Sequence, residues 1–185
     1  MNRSLHLLAL NALLAVLVVF LFSGCSGSHP SLQTGEAQIA TKIASLQTNL
    51  KGLGKDTDTS ESRRVAETAV TYSFRLAEEY RVAPPARWHN LLIQMGFRDR
   101  GLCFHWTEDL MKRLLALNLK TYQLHWGVAH QGSELREHNS VVITAWDQPF
   151  EKGLVLDPWR NAGDLYWAAV SQDGYPWVPL PPDQW

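Results

Sequence analysis

Cys103, His138 and Asp157 are residue types that together perform nucleophilic acyl chemistry, and they occur in that order along a chain of 185 residues. The attacking species in such chemistry is a thiolate, which the free N–H groups and positive dipole end of a helix N-terminus favour. An imidazole must reach the sulfur to exchange its proton, and a third polar group must hold that imidazole in one tautomer. A backbone N–H at the helix start then supplies one oxyanion donor. Other candidates are weaker on pattern. Asp164 follows Gly163 in a predicted loop, and Gln94 precedes the nucleophile as a possible second oxyanion donor. His105, His125 and His130 read as packing or surface residues. A zinc set built from these three and Cys103 lacks the paired ligand spacing of structural sites, so neither a metal nor a cofactor is expected.

The surrounding elements must bring the three residues together. From Cys103, the residues Trp106, Leu110, Leu114 and Leu117 form a stripe at helical spacing. Thr107, Glu108 and Asp109 come early and Lys112 and Arg113 late, the charge order that suits a helix dipole. Cys103 is therefore predicted at or near a helix N-terminus. Beyond Asn118, Tyr122, Leu124, Trp126 and Val128 alternate with polar or small residues, which predicts a strand. A turn at Gln131-Gly132-Ser133 leads to His138 and a β-branched strand through Val141, Val142, Ile143 and Thr144. Gln148-Pro149 turns the chain again, and residues 153–156 read as a third strand that stops at Asp157-Pro158. If these last two strands pair, His138 and Asp157 come side by side.

Upstream, Ile39, Ile43, Leu46, Leu50 and Leu53 predict an amphipathic helix that Gly52 and Gly54 end. The polar residues 55–61 read as a loop in which Thr59 or Ser60 caps a second helix, running from residue 63 to about residue 82. Pro84-Pro85 stops that helix, and residues 88–95 read as a short helix ending at Gly96. Trp106, Trp126 and Trp159 are candidate cleft walls. The Pro-rich tail from Pro176 reads as an extended strap over the domain.

Three segments carry a family resemblance. Gly101-Leu102-Cys103-Phe104-His105-Trp106 heads a helix, Glu137-His138-Asn139-Ser140-Val141-Val142 opens a strand, and Gly153-Leu154-Val155-Leu156-Asp157-Pro158-Trp159 closes another. Together they resemble the transglutaminase-like branch of the papain-like cysteine enzymes, over roughly residues 63–160. The resemblance implies an α+β, papain-like fold with the catalytic helix packed on an antiparallel sheet. It also implies Cys103 as nucleophile, His138 as general base and acid, and Asp157 as the group that orients the imidazole. Phe104, His105 and Trp106 follow the nucleophile, where small or aromatic residues are usual, and Ser140 stands where an aromatic is frequent.

The N-terminus sets the compartment. Arg3 precedes an apolar run over residues 7–22, and Gly24, Cys25 and Ser26 follow at once. This is the layout of an export signal, and the run of roughly 16 residues is shorter than a comfortable membrane span. Phe22-Ser23-Gly24-Cys25 resembles a bacterial lipobox, which implies cleavage before a lipidated Cys25 and a membrane anchor through that lipid. The chain has two cysteines, so lipidation of Cys25 leaves Cys103 as a lone thiol and excludes an intramolecular disulfide. A lone thiol in an oxidising compartment is either a small buried hydrophobe or a reactive group.

The expected organisation is a signal peptide over residues 1–24, a lipidated tether and short helix over 25–60, and a transglutaminase-like domain over 61–185. Removing 24 residues from 185 leaves 161, enough for one domain with a real core. The net charge is −1 and the sequence carries no basic stripe, so nucleic acid is not an expected partner. The expected partners are the membrane and a peptide or protein amide in the cell envelope. The expected activity is acyl transfer at that amide, by hydrolysis or crosslinking. One alternative is an inactive binding or assembly lipoprotein on the same fold. Another is a sister papain-like cell-wall peptidase with a polar third residue other than Asp.

Overall fold

Four helices precede a five-stranded antiparallel sheet in the computed structural model, which describes residues 32–185, with side chains from residue 35 onward. This is an α+β arrangement. The expected signal segment and Cys25 lie outside the described residues. Helix α1 spans Leu32–Lys51, α2 Thr59–Glu79, α3 Ala86–Gln94 and α4 Cys103–Leu115. Strands β1 (Tyr122–Ala129), β2 (His138–Ala145), β3 (Leu154–Asp157), β4 (Tyr166–Ala169) and β5 (Trp177–Leu180) lie in the order β4-β3-β2-β1-β5. No helix among the described residues is long and apolar enough to cross a membrane.

Helix α1 begins earlier than its apolar stripe implies, so the last residues of the expected tether are helical. It buries Leu46 and Leu50 in the main core, with Ile39 and Ile43 packed against it. A fully buried leucine contributes about 2–3 kcal/mol by transfer from water, so this helix is part of the fold. The compact unit accordingly runs Glu36–Trp185 and takes in the helix placed ahead of the domain by sequence. Helix α2 is capped by Asp58 rather than Thr59 or Ser60. The Asp58 carboxylate accepts the Glu61 N–H at 2.8 Å, while Thr59 already lies inside the helix.

Helix α4 packs on β2, β1 and α2. Its Leu110 and Leu114 meet Val65 and Ala69 of α2 and Val141 and Ile143 of β2 in one core. Strand β2 is buried at all eight positions because it is central and covered on both faces. Val142 faces the other way, into a smaller cluster with Ala129, Phe150, Val155 and Trp177. The expected strap is a strand: β5 pairs with β1, with Pro179 opposite Gly127. Its place at the sheet edge is what tolerates a residue with no N–H to donate. β4, at the opposite edge, has no expectation from sequence.

Candidate active site

The pairing of β2 with β3 places Val141 opposite Leu156, so the first residue of one strand lies near the last residue of the other. Those residues are His138 and Asp157. His138 Nε2 is 2.6 Å from Asp157 Oδ2, and both side chains are buried. Cys103 is the first residue of α4, and its partly buried sulfur lies 3.9 Å from the Glu137 carbonyl next to His138. The three residues singled out by chemistry are thus brought together.

Local contacts fix the turn that presents Cys103. Gly101 has φ +121°, a conformation open to glycine, and a Cβ there would stand 2.4 Å from His89 Nε2. That buried imidazole accepts the Ala83 N–H at 3.3 Å through Nδ1 and donates to the Arg100 carbonyl at 2.9 Å through Nε2. Trp106 donates its indole N–H to the Gly101 carbonyl at 2.9 Å. His105 Nδ1 accepts the N–H groups of Gly101 and Leu102, each at 3.2 Å. The side chain caps the helix from its own first turn, in keeping with a packing role. Burial first, and then the Arg100 charge, push the His105 pKa below its usual value and favour the neutral, accepting ring.

His138 has a different environment. Burial alone would depress its pKa, but the hydrogen bond to Asp157 and the neighbouring Cys103 outweigh it and carry it up to about 9. Since Nε2 meets Asp157, Nδ1 is the ring nitrogen left for the thiol. Trp159, Tyr175 and Trp177 surround the ring, with centroids 4.8, 4.8 and 5.4 Å away. They hold its plane.

Asp157 is itself clamped by a residue that sequence reasoning missed. Arg160 donates its backbone N–H to Oδ1 and its Nε to Oδ2, both at 3.1 Å. The other end of the guanidinium forms a fork on Asp173 at 2.9 and 2.8 Å, and Trp177 Nε1 donates to the same carboxylate at 2.8 Å. Burial raises the Asp173 pKa, but the Arg160 and Trp177 bonds prevail and hold it below the usual range. Burial likewise opposes the Arg160 charge, and the two carboxylates overcome it. One arginine therefore ties the end of β3 to the loop that carries Tyr175 over the imidazole and leads into Trp177 at the start of β5. A lone Arg after Asp-Pro-Trp has no motif to mark it.

Other candidates fall elsewhere. Asp164 forms an exposed ion pair with Lys42 on α1. Trp106 is buried against Tyr80 in the core, and Trp126 lies behind the site on the Asn139 amide, so neither walls the cleft. Trp159 does line it, as does Gln94. His125 bonds Thr144 Oγ1 at 3.0 Å and packs on Phe150. Among the described residues, no group of three or more His, Cys, Asp or Glu is arranged to hold a metal ion.

A cleft of about 900 Å³ opens over Cys103 and His138. Leu91, Leu102 and Phe104 give it an apolar wall, while Arg87, Arg136 and Glu134 add charge. Such a space holds several residues of an extended peptide. Comparison with known proteins finds no family model, no curated protein and no solved structure that matches the chain.

Proposed function

We propose that the chain is a cysteine-nucleophile acyl-transfer enzyme of the papain-like, transglutaminase-like kind, acting on an amide of a peptide or protein in the cell envelope and tethered there by lipid on Cys25. The observation that carries the reading is one imidazole held between a buried carboxylate at 2.6 Å and the thiol at a helix N-terminus. An imidazolium beside a cysteine supports the thiolate, and the first N–H groups of α4 point the same way.

In the proposed reaction the Cys103 sulfur attacks the amide carbon and the carbonyl pair moves onto oxygen. Collapse of that adduct breaks the C–N bond as His138 gives its proton to the leaving nitrogen. The neutral imidazole then takes a proton from water, or from a second amine, as that group attacks the thioester carbon. The thiolate leaves and the imidazolium is restored. Asp157 keeps the ring in the required tautomer and balances its charge throughout. Hydrolysis is the favoured outcome because the cleft is open to water.

The test is the pH dependence of iodoacetamide labelling in a Cys25→Ser chain, where Cys103 is the sole thiol. Rapid labelling at pH 6 that disappears in His138→Ala is the expected result. An ordinary thiol profile in both proteins would remove the enzyme reading and leave an envelope binding or assembly role.

A further inference from the structure

The Asn139 side chain lies beside the reacting sulfur and has no part in the reaction written above. It follows His138 in β2 but projects to the opposite face, the one covered by α4 with Val141 and Ile143. Asn139 is buried, and its amide can stand only one way round. Trp126 Nε1 lies 2.7 Å from Oδ1, and an indole nitrogen only donates, so Oδ1 is the acceptor and Nδ2 is turned toward the cysteine. Nδ2 is 3.9 Å from Cys103 Sγ. Its other neighbour is Glu137 Oε1 at 3.4 Å, while Glu137 Oε2 takes the Gly132 N–H at 2.7 Å.

The position of this amide matters more than its weak bond to resting sulfur. In a tetrahedral adduct the oxyanion stands roughly 2.7 Å from the sulfur, so a donor about 4 Å from that sulfur can meet it at ordinary hydrogen-bond length. The backbone N–H of Cys103 is the other donor on hand, since the first N–H of a helix has no acceptor within the helix. Gln94, the side chain considered from sequence, makes no hydrogen bond with Cys103.

Resting on the acyl-transfer reading, we propose that Asn139 Nδ2 is a catalytic oxyanion donor that acts with the Cys103 backbone N–H. When sulfur attacks, the carbonyl π pair moves to oxygen and Nδ2–H bonds the negative charge without surrendering its proton. On collapse the pair returns to form the thioester carbonyl. Trp126 is a positioning residue: it fixes the amide by occupying Oδ1.

The experiment compares two reactions of Cys103 in the full chain carrying Cys25→Ser. Acylation by p-nitrophenyl acetate forms an oxyanion and releases one p-nitrophenolate per thiol, whereas alkylation by iodoacetamide forms none. Asn139→Ala removes the whole amide. Asn139→Asp keeps an acceptor for Trp126 and removes the donor. The ratio of acylation to alkylation rate is expected to fall about 10²–10³-fold in both variants. A ratio within threefold of the parent in Asn139→Asp, with or without a loss in Asn139→Ala, would make Asn139 a mere anchor for Trp126 and overturn the proposal. A parent chain that alkylates with His138 dependence yet never acylates would overturn the acyl-transfer reading itself, and this donor with it. Thermal melting of each variant confirms that folded proteins are being compared.

Discussion

Beyond each end of helix α4 lies a buried carboxylate that bonds neighbouring segments rather than the helix itself, and the two are satisfied in opposite ways. At the C-terminal end Glu61 accepts the Lys120 N–H, the Thr121 N–H and the Thr121 hydroxyl at 2.8, 2.8 and 2.7 Å. Burial raises its pKa, but the Thr121 and Lys120 bonds and the Arg64 charge hold it below 4.5. At the N-terminal end Asp157 faces an imidazole and a guanidinium. The donors on Glu61 keep their protons at all ordinary pH, so that end is a fixed joint between α2 and the start of β1. His138 can release its proton, so the other end can do chemistry. Burial of an acid marks neither as functional; the mobility of the proton opposite it does.

The comparison breaks most sharply on paired substitutions. Asp157→Asn should lower acyl transfer about 10³–10⁴-fold, since the imidazole loses both its tautomer control and its counter-charge. The melting temperature above pH 9, where His138 is neutral, should change little, because Arg160 still meets Asp173. Steady-state rates with any amide substrate check this, and retained activity would favour the sister peptidase branch, where a neutral third residue suffices. Glu61→Ala should do the reverse. It strands two backbone N–H groups and a hydroxyl, at a cost of about 3 kcal/mol. Urea denaturation should show a lower midpoint at constant slope, while folded protein keeps the His138-dependent labelling of Cys103. Equal loss of labelling in both variants would erase the distinction between joint and site.

Gly101→Ala sharpens it at the turn ahead of Cys103. The positive φ and the 2.4 Å approach to His89 should destabilise the protein by about 2 kcal/mol and slow Cys103 labelling as the helix start shifts. A variant with parental stability would mean that the His89 packing does not set this turn.

The pH effects run in opposite directions at the two ends. Folding lowers the Glu61 pKa, so its contribution is complete above 4.5 and is lost as pH falls below that value. Folding raises the His138 pKa from 6.5 to about 9, so its contribution is complete below 6.5 and is lost as pH climbs through 9. Melting curves across pH should lose the acid limb in Glu61→Gln and the limb between pH 6.5 and 9 in His138→Asn. Persistence of the upper limb in His138→Asn would detach it from this imidazole.

Much of the frame was legible because period reports burial directly. The helical stripe from Trp106 to Leu117 and the alternation from Tyr122 to Val128 each mark one face turned to a core. Cys103 at a helix start, His138 at a strand start and Asp157 at a strand end followed from that. The stripe of helix α1 is weak by itself, and only the core formed with α2 and α4 gives Leu46 and Leu50 their role. β4 and β5 are short, and β5 carries Pro179, so neither shows the alternation of a longer strand.

The sequence by itself determined the order and kind of the elements from α1 to β3, the candidate nucleophile, imidazole and carboxylate, and the ends of elements on which they sit. These follow from local forces: capping, turn chemistry and the spacing of apolar residues. Only the tertiary structure decided that Arg160 would clamp Asp157 to Asp173, that Trp159, Tyr175 and Trp177 would enclose the ring, and that Asn139 would turn its amide to the sulfur. Except for Arg160 on Asp157, three residues away, those contacts join residues well separated in the chain and depend on strand order and register, to which a side chain's own neighbours contribute almost nothing.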